Sequence, residues 1–231
     1  MTTEALQLIK SRADAARFDT YMQAYAQAAA GFALSHISLA AAYDFCQSRE
    51  DGGRLFAAIF DVHVNFTLLF CDQASATKAR SYAPAETLRA GTSALESSII
   101  FDTRMNLHRH NSAFVLRYRA LWDKLMGLLI LMFVPEKYEQ FISASSRKKA
   151  FRKIAVRANK VDATLADSLH SLIEKFDNEF RTPEAHGTGA LRKWSFIVTE
   201  LSADKSLNLL WYWNAINDVV SRLGKALAAP T

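Results

Sequence analysis

The sequence predicts an all-α protein on three observations. Only 8 Gly and 4 Pro stand among 231 residues, too few to punctuate many short strands. Ala and Leu, residues that fit a helix at little cost, are abundant. Apolar residues recur at three- and four-residue intervals through most of the chain, the period of a helix with one buried face. At 50% hydrophobic and 22% charged, the composition is that of a globular chain and not of a disordered or fibrous one.

Taken in order, Leu6, Ile9, Ala13, Ala16, Phe18, Met22 and Tyr25 set a first helix from Glu4 to Ala30, ended by Gly31. A second runs from Phe32 to Gln47 and closes at REDGGR. From Leu55 to Phe70 the alternation of Val62, Val64, Phe66 and Leu68 suggests a strand, but length and neighbours predict a helix. SATKARSYAPAE, Ser75 to Glu86, predicts a loop, with Pro84 opening a helix that reaches Ile100. The polar segment FDTRMNLHRHNS, Phe101 to Ser112, divides an N-terminal helical portion packed on the core, residues 1–111, from a helical bundle, residues 112–231; one continuous domain is the alternative. Ala113 to Phe133 is the strongest helix, stopped by Pro135, and a short helix spans Glu136 to Ser143. Beyond a basic stretch, Leu165, Leu169, Leu172, Ile173 and Phe176 share one face of a helix from Val161 to Phe180. In FRTPEAHGTGALRKW, Phe180 to Trp194, Pro183 breaks the helix and Gly187 and Gly189 free the backbone. The segment therefore predicts a turn, with Thr182 as N-cap and Pro183 at the first helical position. Two helices finish the chain, Ala190 to Leu201 and Ser206 to Leu227.

The longest strictly apolar run, Leu125 to Val134, is about half of what a bilayer-spanning helix needs, and Asp123 and Lys124 precede it. It reads as a buried core helix, so no membrane partner is expected. MTTEALQLIKSRADAARF carries no secretory pattern, and Cys46 and Cys71 match no metal or redox spacing, which together predict a cytoplasmic protein with reduced core cysteines. A net charge of +5 admits an acidic partner.

From Ser145 to Lys160 the chain carries Arg147, Lys148, Lys149, Arg152, Lys153, Arg157 and Lys160 with no acidic residue. Wound as a helix, this stretch gathers Phe151, Ile154, Ala155 and Ala158 on one stripe and leaves most cations on the rest. Such a face can neutralise phosphates of a nucleic acid; the alternative is a solvated helix surface. His108 and His110 point nearly opposite ways on a helix and lack a third ligand, so they read as a polar surface loop and not as a metal site. Trp211, Tyr212 and Trp213, with Trp194 and Phe196 upstream, read as core or subunit interface.

Arg181 and His186 are the candidate catalytic pair. An imidazole passes protons near neutral pH, and a guanidinium holds a phosphate and offsets charge developing on its oxygens, a combination that suits RNA cleavage with no metal or cofactor. The motif RTPEAH, Arg then four residues then His, resembles the signature of the HEPN superfamily, and LRYRALWDKLMGLLILMF, Leu116 to Phe133, is similar to the long helix of several of its families. A second match, Arg104 to His110, lies in a different helical context. The resemblance covers roughly Ala113 to Leu227. It implies an up-and-down helical bundle with additional N-terminal helices, a homodimer that brings two Arg/His pairs together, and a metal-independent endoribonuclease acting on single-stranded RNA in a toxin or defence setting, with a protein partner or inhibitor unidentified. In that reading Arg181 binds the scissile phosphate, His186 is the general acid or base, and Thr182 and Glu184 orient the pair. Thr182, followed by Pro183, stands where active members usually carry Asn, Asp or His, which favours the alternative: a catalytically inactive helical binding or scaffold module.

Overall fold

A computed structural model describes residues 37–47, 49–82, 94–160, 162–186, 191 and 207–228, and among them every regular element is helical. The protein is all-α. The described helices are α1 (Leu39–Gln47), α2 (Gly52–Tyr82), α3 (Ala94–Phe133), α4 (Tyr138–Ile142), α5 (Arg147–Arg157), α6 (Ala163–Phe176), α7 (Thr182–Ala185) and α8 (Asn208–Ala228). A 3-10 turn, Pro135–Lys137, precedes α4, and a π turn, Asp177–Arg181, joins α6 to α7. The helices expected at 4–30 and 190–201, Trp194, Phe196 and the glycines of the expected turn, Gly187 and Gly189, lie outside the described residues, Leu191 excepted.

Two expected loops are helical. Ser75 to Tyr82 continues α2, because no Gly or Pro interrupts it before Pro84 and its alanines fit a helix face: Ala76 and Ala79 are buried together with Leu107 of α3. The polar segment Phe101 to Ser112 lies inside α3, a single helix of 40 residues. Between Gly91 and Gly127 the chain has neither Gly nor Pro, so nothing ends the helix, and the expected boundary at 111/112 falls within it. Its polar residues divide between the two faces of the helix: Arg104 and Asn111 are buried, whereas Asp102, Asn106 and Arg109 are exposed. The apparent strand alternation likewise falls on a helix, where Val62 and Phe66, four residues apart, are buried while Leu68 is exposed.

The run Leu125 to Val134 is core, with Leu125, Met126, Leu128, Ile130, Leu131 and Val134 buried. Gly127 lets α4 approach, since a Cβ there would stand 3.3 Å from the Phe141 ring. By length and composition alone Gly52–Arg80 could cross a membrane, but half of that window is buried within the protein. At the α1–α2 corner a Cβ on Gly52 would lie 2.1 Å from the Cys46 carbonyl oxygen, so only glycine fits.

The chain divides into two compact units. One holds residues 1–67, 119–175 and 217–231. Its core is mainly aliphatic, including Leu55, Ile59, Leu121, Leu125, Ile130 and Ile173. The other holds residues 68–118 and 176–216 and is built on aromatic rings. Tyr118 and Phe176 have centroids 4.3 Å apart, Phe176 and Tyr212 4.9 Å, and Phe180 and Tyr212 5.8 Å, the last two pairs edge to face.

Candidate functional site

Helix α5 follows Ser146, whose extended backbone starts it, and ends in a left-handed turn at Asn159 (φ 52°). There the Lys160 N–H donates to the Ala155 carbonyl and the Asn159 N–H to the Val156 carbonyl, which closes the last turn and satisfies otherwise orphaned carbonyls. Phe151, Ile154 and Ala155 are buried, so the apolar stripe expected from the sequence seats the helix and fixes its rotation.

That rotation sorts the seven cations. Lys149, Arg152, Lys153 and Arg157 line a groove of about 500 Å³ between α5 and α6, together with Val156, Ala163 and His170. Positions 149, 153 and 157 are one helical neighbour apart, so their charges stand in a row with steps of about 6 Å. Arg152 donates from Nε to Asp167 Oδ1 of α6, whereas Lys149, Lys153 and Arg157 have no ion-pair partner among the described residues. Lys148 is on the seam instead, largely buried with its ammonium 3.7 Å from Glu174. Arg147 and Lys160 do not line the groove. His170 was not anticipated: its only signal is a position seven residues after Ala163 on α6, which means nothing until α6 is known to face α5. Its Nδ1 has no hydrogen-bond partner among the described residues, and its Nε2 lies 3.8 Å from the Glu174 carboxylate.

The Arg181–His186 segment is different from the expectation. The chain does not break at Pro183: Arg181 and Thr182 both hold right-handed helical backbone angles, and the helix ends only at His186. The π turn explains how a proline fits. Thr182 N–H reaches back five residues to the Asp177 carbonyl, and this shift of register places Pro183 in the first turn of α7, where a missing N–H leaves no bond unmade. Thr182 is therefore not an N-cap, and its carbonyl accepts from the His186 N–H at 3.1 Å.

Five residues along such a helix set Arg181 and His186 roughly 140° apart around the axis and about 7.5 Å apart along it, so one chain does not aim both at one phosphate. Arg181, half exposed, lies 3.7 Å from Asp177. Among the described residues Glu184 makes no hydrogen bond or ion pair to either member of the pair; its Oε1 accepts from the Leu191 N–H at 3.0 Å. Glu179 accepts from the Tyr212 hydroxyl and from Asn208 Nδ2, both at 2.9 Å, which anchors the π turn to α8. Burial, then that bond to a carboxylate, pushes the Tyr212 phenol well above its usual pKa. His186 is exposed.

His108 and His110 lie on α3, not in a loop. His110 Nδ1 is 3.5 Å from Asp72 of α2, whose other oxygen accepts from Arg117 Nε at 2.8 Å, so the carboxylate clasps two helices. Among the described residues no three His, Cys, Asp or Glu side chains gather as a metal site. Cys46 and Cys71 are free; Cys46 is buried, which pushes its thiol up to about 11, and Cys71 is only half-buried. Tyr212 and Trp213 are core, whereas Trp211 is exposed.

No protein-family model, curated protein or solved structure matches this chain.

Proposed function

We propose that this protein is a non-catalytic, cytoplasmic nucleic-acid-binding module, and that the exposed row of Lys149, Lys153 and Arg157 on α5 is its contact with the phosphate backbone. The carrying observation is the register of those three cations: they share one face, none is tied up in an ion pair among the described residues, and a buried stripe behind them holds the helix still. Cations so arranged displace counterions from a phosphate chain, and each phosphate neutralised adds roughly 0.7–0.9 to the slope of log K against log salt. The test is fluorescence anisotropy with a labelled oligonucleotide from low to moderate salt. Affinity should fall steeply, and replacing Lys149, Lys153 and Arg157 by Ala should flatten the slope by roughly 2–3. Binding that ignores salt, or a triple variant that binds like the parent, removes the reading.

A second reading is a HEPN-type endoribonuclease built by a homodimer, and the exposed imidazole of His186 at the end of α7 is what favours it. Arg181 and His186 of one chain diverge, so this reading needs a second chain to complete each site. Purified protein should then cut single-stranded RNA in EDTA, and His186→Ala should abolish cutting with the helical circular dichroism unchanged. Intact RNA after incubation with the parent protein ends it.

A further inference from the structure

The α5–α6 groove holds more than a row of charges, and a phosphate backbone alone does not need a cavity. We infer that the groove is a base-binding subsite: it takes one unstacked base of a single-stranded nucleic acid whose phosphates lie along Lys149, Lys153 and Arg157. This rests on the binding reading above and adds to it which form of nucleic acid is bound.

The walls differ in chemistry. The α5 side presents four cations, of which Arg152 is held by Asp167. Val156 of α5 adds apolar surface, and Ala163 and His170 line the groove from α6. A cavity of about 500 Å³ lies within the range of small-ligand pockets, and apolar surface beside fixed polar groups is the usual make-up of such sites. A planar ring needs an apolar or π surface to lie against, and its own phosphate needs a cation one sugar away; this groove offers both within two turns of α5. Among the described residues no hydrogen bond fixes the His170 ring, since Nδ1 has none and Nε2 stands 3.8 Å from the Glu174 carboxylate, which leaves the ring face as the stacking surface. A duplex keeps its bases stacked inside and would touch only the cationic rim.

The experiment compares four probes of equal length at one salt concentration: a labelled single-stranded RNA, the matching DNA strand, the duplex, and an abasic sugar-phosphate strand. Single strands should bind at least tenfold more tightly than the abasic strand, which carries the same charge. Ala163→Phe, at an exposed position at the start of α6, should fill the groove and remove that preference while leaving the salt slope intact. His170→Ala should weaken single-strand binding several-fold and leave duplex binding unchanged. Equal affinity for single, duplex and abasic strands, unaltered by Ala163→Phe, overturns the base subsite and leaves phosphate binding standing. Failure to bind any probe overturns both.

Discussion

Helix α5 and the helical segment from Asp177 to His186 both carry side chains that can meet a phosphate, yet only one of them gathers such groups on one face. In α5 the exposed cations are spaced by four and fall in a row. In the other segment Arg181 and His186 are spaced by five, and a helix that runs unbroken through Pro183 turns them apart. Residue type is therefore not what separates a site from a surface here. A guanidinium and an imidazole do nothing together unless the backbone register brings them to one side.

The largest expected effect tests the first half of that comparison. Phe151 is 3% exposed and is the bulkiest anchor of α5. Phe151→Ala should cost about 3–5 kcal/mol in chemical denaturation, because the cavity adds to the lost burial. A loss under about 1 kcal/mol would mean that α5 is not seated by its stripe and that its cations have no fixed row.

The second half rests on Tyr212 and Glu179. Tyr212→Phe should cost about 1–2 kcal/mol at neutral pH by removing a hydrogen bond to a carboxylate. It should also change the alkaline limb of stability. The folded phenol has a raised pKa, so above the unfolded value the unfolded state loses its proton first, the folded state binds more protons, and stability falls as pH rises. The parent should therefore lose stability above about pH 10, and Tyr212→Phe should flatten that loss. Identical alkaline profiles for the two proteins would show that Glu179 does not hold the π turn to α8 through Tyr212.

These two segments also show how far the residues alone could be read. Helical class and the seating face of α5 were legible, because Phe151, Ile154 and Ala155 recur with helical period in an otherwise cationic stretch. The turn at Pro183 was not, because the rule that proline ends a helix assumes α register, and the π turn at Asp177–Arg181 removes the conflict. Phe101 to Ser112 misleads because a polar stretch suggests a loop, whereas it is part of a continuous helix, and of its polar residues only Arg104 and Asn111 are buried. The groove itself needed His170 and Ala163, residues of α6 that acquire meaning only by facing α5. Long-range pairing of helices has no local signature.

A head-to-head comparison of single charge reversals sharpens the contrast next. Lys153→Glu should weaken oligonucleotide binding about tenfold, near 1.4 kcal/mol, since it removes one cation and places an anion in the row. Arg181→Glu makes the same charge change on a different helical segment, where the side chain lies beside Asp177. It should change affinity less than twofold in the same anisotropy titration. Equal losses would show that net charge, not register, governs binding.

The smallest effect concerns the turn that ends the row. Asn159 sits at φ 52°, in the left-handed region where a side chain carries a steric cost that glycine does not. Asn is the residue best able to tolerate that position after glycine, so the cost already borne is modest. Asn159→Gly should therefore raise stability by about 0.5 kcal/mol, the relief of the left-handed strain being partly offset by the greater freedom of glycine in the unfolded chain. The bond from the Lys160 N–H to the Ala155 carbonyl should persist, leaving Arg157 in register and nucleic-acid affinity unchanged. A drop in affinity with a gain in stability would mean that Asn159 contributes its own side chain to the ligand, and that the cationic row extends past the helix end.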